Sequence, residues 1–535
     1  MFELTTWDSF VYTLLILFLM LILSKLLATP PTVLNIRDNR NGHRWTLNKF
    51  IIDFPLHCNG CETFLFTATG QCCTVCGAAA CTTTKCIRTV DRRTPCKSVS
   101  RARTVEEATS KMEGERKHRW VEGNLPLDSI CDVCEDPAGD GPGLKDFQCI
   151  WCQRKVHVDC KQQIQEECDL GRFKNFIVPP ESVVVKTGRT IRRKVISALV
   201  LPKNKEFRPL IVVGNQKSGS SDCGNILAAF RRQLNPSQVI DLAEGRMEEV
   251  LEWCQLASPV PCTILVCGGD GTVGWLLNTA EKLKLKTEPI ISIFPLGTGN
   301  DLARTLGYGS GSDCSENINK YMANIEKGET VKLDRWKVEV LPKRHLRIRL
   351  PNSTIYMNNY LSIGVDALVT HNFHKARESP YYLFSSRLIN KLIYFSYGTK
   401  DVLERECQHL NKKLNLFMDG KKIELPNIES VVILNIPFWG AGVEPWTLGS
   451  GHKDFKIQQD YADRKLEVFC VYSSFHIAQM QVGLSEPHRI GQATEVRIEI
   501  EDSVPLQIDG EPWEQHPAVI QLSHYSQVSM LRLNK

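Results

Sequence analysis

The most apolar run of the chain comes first, Phe10 to Leu27. As a helix its eighteen residues would extend about 27 Å, close to a hydrocarbon core of roughly 30 Å. Glu3 and Asp8 precede it where a signal peptide would carry basic residues, and no small-residue cleavage site stands before Pro30-Pro31. The run therefore predicts a retained membrane helix. Lys25, Arg37, Arg40, Arg44 and Lys49 follow, which puts the rest of the chain on the cytosolic side. Whether the helix spans the bilayer or re-enters stays open, because Lys25 interrupts its far end. The endoplasmic reticulum and the plasma membrane are both compatible with it.

From Arg208 the pattern alternates between strand and helix. Leu210 to Val213 is apolar and runs into Gly214-Asn-Gln-Lys-Ser-Gly-Ser-Ser221, then a stretch rich in Leu and Ala. Cys262 to Cys267 is apolar and stops at Gly268-Gly269-Asp270-Gly271-Thr272. Val273, Leu276, Leu277 and Ala280 then share one helical face. Pro289 to Phe294 leads into Pro295-Leu-Gly-Thr-Gly-Asn-Asp301. Strands joined through helices run parallel, and the loops at their carboxyl ends gather on one edge of the sheet. Three loops of Gly, Ser, Thr and Asn then converge, with helix N-termini aimed at an anion. A carboxylate among those amides, Asp270, suits holding Mg²⁺ or taking a proton from an attacking hydroxyl. Beyond Thr330, runs such as Trp336 to Leu341, Val431 to Ile436, Leu466 to Val471, Thr494 to Ile500 and Ala518 to Leu522 predict a β-rich second lobe.

Composition adds one strong constraint. The 535 residues are 42% hydrophobic and 23% charged with a net charge of +5, an ordinary globular balance that makes no case for nucleic acid. The 21 cysteines are concentrated, fourteen of them between Cys58 and Cys168. A repeated pattern orders them. The second repeat carries His118, Cys131, Cys134, Cys149, Cys152, His157, Cys160 and Cys168; the first carries His43, Cys58, Cys61, Cys73, Cys76, Cys81, Cys86 and Cys96. Eight thiolate and imidazole ligands make two tetrahedral Zn²⁺ sites, which implies a reducing compartment. The second repeat resembles the cysteine-rich zinc domain of the protein kinase C type. That resemblance implies interleaved sites, His118, Cys149, Cys152 and Cys168 in one and Cys131, Cys134, His157 and Cys160 in the other. In the first repeat Cys81 stands in place of the internal histidine, and Cys86 falls two residues late. Lipid-binding members of that group carry Gln-Gly shortly before the third cysteine. Here Thr69-Gly70 and Lys145-Asp146 stand there, so a structural or docking role is at least as well supported as lipid capture. Between Glu181 and Glu206 lie seven basic residues and no acid, either a solvated linker or a stretch drawn to anionic headgroups.

Neither a G-x-x-x-x-G-K-[ST] loop nor the H-R-D and D-F-G strings of protein kinases occur. GGDGTVGW (Gly268 to Trp275) and PLGTGNDLA (Pro295 to Ala303) resemble the diacylglycerol kinase family. LDRWKV (Leu333 to Val338), MNNYLSIGVDAL (Met357 to Leu368) and DGEPW (Asp509 to Trp513) agree with it. The N-terminal helix with two zinc domains resembles its epsilon type. The resemblance implies ATP-dependent phosphorylation of diacylglycerol to phosphatidic acid, with a preference for polyunsaturated chains such as arachidonoyl. Partners are then ATP, diacylglycerol and membrane lipids; cofactors are Mg²⁺ with ATP and two structural Zn²⁺ per cysteine-rich domain. The architecture expected is a hydrophobic helix (1–30), two small zinc-stabilised α+β domains (43–96 and 118–168), a basic linker (169–207), an α/β nucleotide-binding lobe with a parallel sheet (208–330) and a β-sandwich-rich accessory lobe (331–535). Carried over by residue, Gly268, Gly269, Gly271, Thr272, Asn215, Ser218, Gly219, Thr298 and Asn300 line the nucleotide pocket. Asp509 is the expected base with Glu511 as its partner on one side of an extended segment, Asp270 serves as metal ligand or base, and Asp463 holds a structural Mg²⁺. The rival of another class is a membrane-anchored scaffold with inert kinase lobes.

Overall fold

The computed structural model describes residues 35–36, 43–47, 56–65, 70–94, 96–141, 143–187, 194–215, 223–311, 318–343, 351–378, 407–448 and 458–534. The apolar run at Phe10 to Leu27, together with Ser218 and Gly219, lies outside them. Among the described residues no helix is long and apolar enough to cross a membrane.

The lobe expected to bind nucleotide starts with strand β1 (Leu210–Gly214), helix α1 (Cys223–Gln233), β2 (Val239–Asp241) and α2 (Met247–Ala257). It continues through β3 (Thr263–Gly268), α3 (Asp270–Leu283), β4 (Ile290–Pro295), α4 (Asp301–Thr305) and α5 (Ile318–Lys327). The strands run parallel in the order β2-β1-β3-β4. Every residue of β1, β3 and β4 is buried, which is why these segments read as unbroken apolar runs rather than alternating ones. All carboxyl ends fall on one edge, as the alternation of strand and helix requires.

The accessory lobe opens with β5 (Glu329–Pro342), β6 (Ser353–Met357), β7 (Tyr360–Gly364) and helix α6 (Val365–Glu378). Next come β8 (Leu414–Met418), β9 (Lys421–Ile423), β10 (Ser430–Leu434), β11 (Leu466–Val471) and helix α7 (Ser474–Gln481). It closes with β12 (His488–Ala493), β13 (Glu495–Ile500), β14 (Val504–Ile508), β15 (Glu511–Gln515) and β16 (Ala518–Arg532). A six-stranded sheet ordered β12-β11-β10-β7-β14-β15 faces β5, β8, β13 and β16 across one core. Alternate residues such as Trp336, Val338 and Val340 enter that core with Ile363, Ile433, Val468, Ile498, Leu506 and Ile520, the period-two burial of a sandwich.

The lobe boundary differs from the expected split at 330/331. β5 and β16 pair antiparallel from Glu329↔Arg532 to Pro342↔Ala518, and β16 returns to pair with β4 at Ile291↔Met530. Leu333, Met530 and Leu531 are buried in the nucleotide lobe's core. The two lobes thus share one ten-stranded sheet. An unpaired edge on β4 would expose its backbone polar groups, and the C-terminal strand covers it.

The basic stretch is also more than a linker. Val183–Thr187 and Lys194–Leu199 form an antiparallel hairpin, extended by Asn35–Ile36. Glu181, buried just before it, accepts from Arg101 Nη1 at 2.7 Å and Arg116 Nε at 2.8 Å. The zinc domains sit on the nucleotide lobe through an equally buried contact. Lys97 Nζ donates to the carbonyls of Arg231 (3.3 Å), Arg232 (2.5 Å) and Leu234 (3.0 Å) and lies 4.9 Å from the Trp151 ring centroid. The carboxyl end of α1 is where an ammonium is most favourable, because its last carbonyls have no partner within the helix. Trp151, Cys149, Cys152 and Cys168 belong to the same core as the nucleotide lobe. Lys97→Met keeps the aliphatic stem and removes the donor from the buried Arg231 and Leu234 carbonyls, while Arg232 O keeps Gln153 Nε2 at 3.0 Å. It should cost about 3 kcal/mol, read as a lower urea or thermal midpoint; an unchanged midpoint would remove Lys97 as the link.

Candidate active site at the meeting of the glycine loops

Strand β3 ends at Gly268, where an added Cβ would lie 2.7 Å from Thr272 Oγ1. The next glycine touches the following loop. A Cβ on Gly269 would sit 3.1 Å from Gly297 Cα, and one on Gly297 would sit 2.6 Å from Gly269 Cα. The loops after β3 and β4 therefore meet backbone to backbone, tied by Leu296 N–H to Gly268 O at 3.0 Å. Asn215, at the end of β1, donates its N–H to Cys267 O at 3.3 Å and joins the same edge. Gly271 and Thr272 lie in the first turn of α3, Thr272 buried, and Thr298 is half-buried in the loop before α4.

Asp270 opens α3 and points across to α4. Its Oδ2 accepts from Asp301 N–H (2.9 Å), Leu302 N–H (3.3 Å) and Asn359 Nδ2 (3.0 Å). Its Oδ1 is buried with no partner. Burial, then the Asp301 and Asp509 charges, push its pKa up to about 7 against the two backbone donors. Asn300, with φ of 57°, donates Nδ2 to Gly297 O and Ser310 O, both at 2.8 Å. Its Oδ1 is buried and unpaired, and so is that of Asn359. Asp270 and the Asn359 bonded to it each keep one unpaired oxygen, and Asn300 keeps a third just before Asp301, whose N–H bonds Asp270.

Asp509, the expected base, is in the opposite condition. Its Oδ2 accepts from Asn358 N–H (2.7 Å) and Nδ2 (3.1 Å), and its Oδ1 from Asn359 N–H (2.8 Å) and Tyr360 N–H (3.1 Å). A carboxylate has about four lone-pair sites, and four donors fill them. Asp509 holds the turn that carries Asn359. Its expected partner Glu511 is exposed and faces Gly271, with Oε1 3.8 Å from where a Cβ would stand. The two acids do not share a side because Asp509-Gly510 is a two-residue hairpin turn with φ of 51° and 86°, the left-handed pair that such turns need. Asp463 Oδ1 accepts from Lys465 N–H at 3.0 Å, and its Oδ2 lies 3.9 Å from Lys465 Nζ.

Sequence reasoning passed over Asn358, Asn359 and Arg335, although the strings containing them had been marked. Arg335 is buried in the lobe contact, donating Nε to Asn358 Oδ1 at 3.1 Å and bonding Asn278. Gly271, Gly274 and Asn278, spaced to share one face of α3, meet Glu511, Asn358 and Arg335. This face positions the accessory turn over Asp270.

Four Cys/His groups gather in the zinc domains: His43, Cys73, Cys76, Cys96; Cys58, Cys61, Cys81, Cys86; His118, Cys149, Cys152, Cys168; and Cys131, Cys134, His157, Cys160. Their ligand atoms lie within 4.8 Å of one another. Sulfur pairs such as Cys73–Cys96 at 3.8 Å and Cys149–Cys168 at 3.9 Å match a tetrahedral edge of about 3.8 Å expected from Zn–S bonds of about 2.3 Å. His43 and His157 anchor Nε2 on the carbonyls of Thr94 (2.8 Å) and Pro137 (2.9 Å), leaving Nδ1 toward the sulfurs. The residues fit zinc.

Known proteins share these segments. Residues 118–171 match the family model of the phorbol esters/diacylglycerol binding domain (C1 domain), 209–338 that of the diacylglycerol kinase catalytic domain, and 356–512 that of the diacylglycerol kinase accessory domain. Probable diacylglycerol kinase 3 of Caenorhabditis elegans is 34% identical over 91% of this chain and 64% of its own length. Diacylglycerol kinase 2 of Arabidopsis thaliana is 30% identical over 77% of this chain and 73% of its own. Diacylglycerol kinase iota of Homo sapiens is 35% identical over 73% of this chain and 40% of its own.

Metal analysis of the purified chain should return four zinc per molecule, one for each group, and Cys86→Ser should lose about one of them. Fewer than four in the wild type would exclude the divergent first domain as a two-zinc unit. Gly297→Ala should force the two loops apart and abolish binding of a fluorescent ATP analogue, while circular dichroism stays native. Undiminished binding would separate the glycine contact from nucleotide recognition.

Proposed function

The chain belongs to the diacylglycerol kinase family, and we propose on that premise that it transfers the γ-phosphoryl group of ATP to the free hydroxyl of diacylglycerol, giving phosphatidic acid. The observation carrying the reading is Asp270 Oδ1, a buried and unpaired carboxylate oxygen beside the touching glycine loops. The N-termini of α3 and the loop amides suit phosphate. The acceptor hydroxyl gives its proton to Asp270 as its oxygen bonds the γ-phosphorus and the bond to the β-phosphate oxygen breaks, releasing ADP. A loose transition state needs positioning and charge neutralisation more than a strong base. A carboxylate near pH 7 in pKa is well matched to the proton transfer.

Magnesium fits the same cluster. The unpaired Oδ1 atoms of Asn300 and Asn359 are hard oxygen donors of the kind Mg²⁺ takes along with water and phosphate, and the ion would neutralise charge on the transferred group. Asp509 and Arg335 act through the Asn358–Tyr360 turn, which brings Asn359 Nδ2 to Asp270.

Finer features rest on the sequence. We propose the epsilon type, a membrane-held enzyme with its catalytic lobes in the cytosol and a preference for polyunsaturated acyl chains. The apolar run at Phe10 to Leu27, the flanking basic residues and the two zinc domains support it.

Labelled ATP and diacylglycerol in mixed micelles test the reading. Asp270→Asn should lower kcat by about 10²- to 10⁴-fold with ATP binding retained. Asp509→Asn, which turns an acceptor into a donor against backbone N–H groups, should lower the unfolding midpoint together with activity. A base must be ionised to act, so with Asp270 raised to about 7 the wild-type rate should decline as pH falls through that value at saturating Mg²⁺. Full turnover by Asp270→Asn, or a rate flat down to pH 5, would sink the assignment.

A further inference from the structure

Helix α7 stands on the outer face of the six-stranded sheet. Ile477 and Met480 pack inward against Trp439, Phe469 and Val471. The opposite side is apolar and open. Phe475 is 59% exposed and Val482 65%, seven residues apart and so on one stripe of the helix. The chain then turns, with Gly483 N–H on Met480 O at 3.1 Å and Leu484 N–H on Gln479 O at 2.8 Å. That turn fixes Leu484, 77% exposed, beside the stripe. Tyr472, also exposed, stacks on His476 with ring centroids 5.3 Å apart.

The segment that forms this surface carries no charge. From Val468 to Ser485 there is no Asp, Glu, Lys or Arg. The one histidine, His476, is buried and held by Tyr472 N–H (3.1 Å) and Glu486 O (2.8 Å), and burial lowers its pKa. Along this stretch charges resume at the flanks, in the Lys465–Asp463 and Arg489–Glu486 pairs. An apolar tip with an aromatic and charged residues at its borders has the amphipathic layout of an interfacial segment.

The patch is tied to the reaction centre. Gln481 Nε2 donates to Gly440 O at 3.4 Å, Ala441 N–H to Asp301 Oδ2 at 3.1 Å, and Asp301 N–H to Asp270 Oδ2 at 2.9 Å. We propose that the face formed by Tyr472, Phe475, Val482 and Leu484 inserts into the lipid bilayer and sets the cleft against the membrane that holds the diacylglycerol. The inference rests on the lipid-kinase reading above: a substrate anchored by acyl chains reaches Asp270 only from a bilayer beside the cleft, and an uncharged face complements hydrocarbon.

The test uses the full chain carrying Phe475→Ser, Val482→Ser and Leu484→Ser together. Two substrates are compared, long-chain diacylglycerol in phosphatidylcholine vesicles and dihexanoylglycerol as a monomer in solution. The variant should lose tenfold or more of its rate on vesicles and keep its rate on the monomer. Separately, Leu484→Trp should add tryptophan emission that brominated phosphatidylcholine quenches beyond the wild-type background. Equal loss on both substrates, no loss on either, or added emission that the brominated lipid leaves unquenched overturns the proposal; a face built for a protein partner would give the last two. A wild type without product from either lipid removes the kinase reading instead, and the quenching still decides the surface.

Discussion

The contact between Gly269 and Gly297 is the constraint on which the site depends. Parallel strands bring β3 and β4 side by side, and their following loops would collide if either residue carried a Cβ. Because neither does, the loops close on each other, α3 and α4 begin within one hydrogen bond of each other, and Asp270 can cap the second helix from the first. The anion-facing amides and the unpaired carboxylate oxygen are both products of that approach.

Two aspartates meet at this point and are separated by their hydrogen bonds rather than by burial. Asp509 has four donors and organises the turn Asn358 to Tyr360. Asp270 has three on one oxygen and none on the other. Proton acceptance needs an available lone pair, which is the ground on which Asp270 rather than Asp509 is proposed as the base. The shared sheet makes this possible. The ribbon of β5 and β16 runs from the accessory core into the nucleotide lobe and holds Arg335 and Asn358 against α3. The lobes are consequently one mechanical unit along that ribbon.

The zinc domains extend this unit at its far side. Lys97 and Trp151 place the second zinc group against the carboxyl end of α1, and Asn235 Nδ2 reaches Val99 O (3.0 Å) and Val178 O (3.1 Å). Its bonds to the helix-end carbonyls offset the cost of taking the Lys97 ammonium out of water.

Much of the molecule was legible in the order of residues, where the physics is local. Spacing alone marks the sixteen zinc ligands, because a metal accepts only groups that short loops can bring together. Apolar runs broken by glycine mark β1, β3 and β4 and their loops, because parallel strands are buried on both faces. The Asp509-Gly510-Glu511 string misled for the converse reason. Period-two reasoning assumes extended backbone, and only the β14–β15 pairing reveals a left-handed turn that sends the two acids apart. Nor does any sequence spacing connect Asn359 with Asp270 or the C-terminal strand with β4. Those relations depend on which lone pairs and strand edges remain unmet once the chain has folded, and tertiary structure alone decides that.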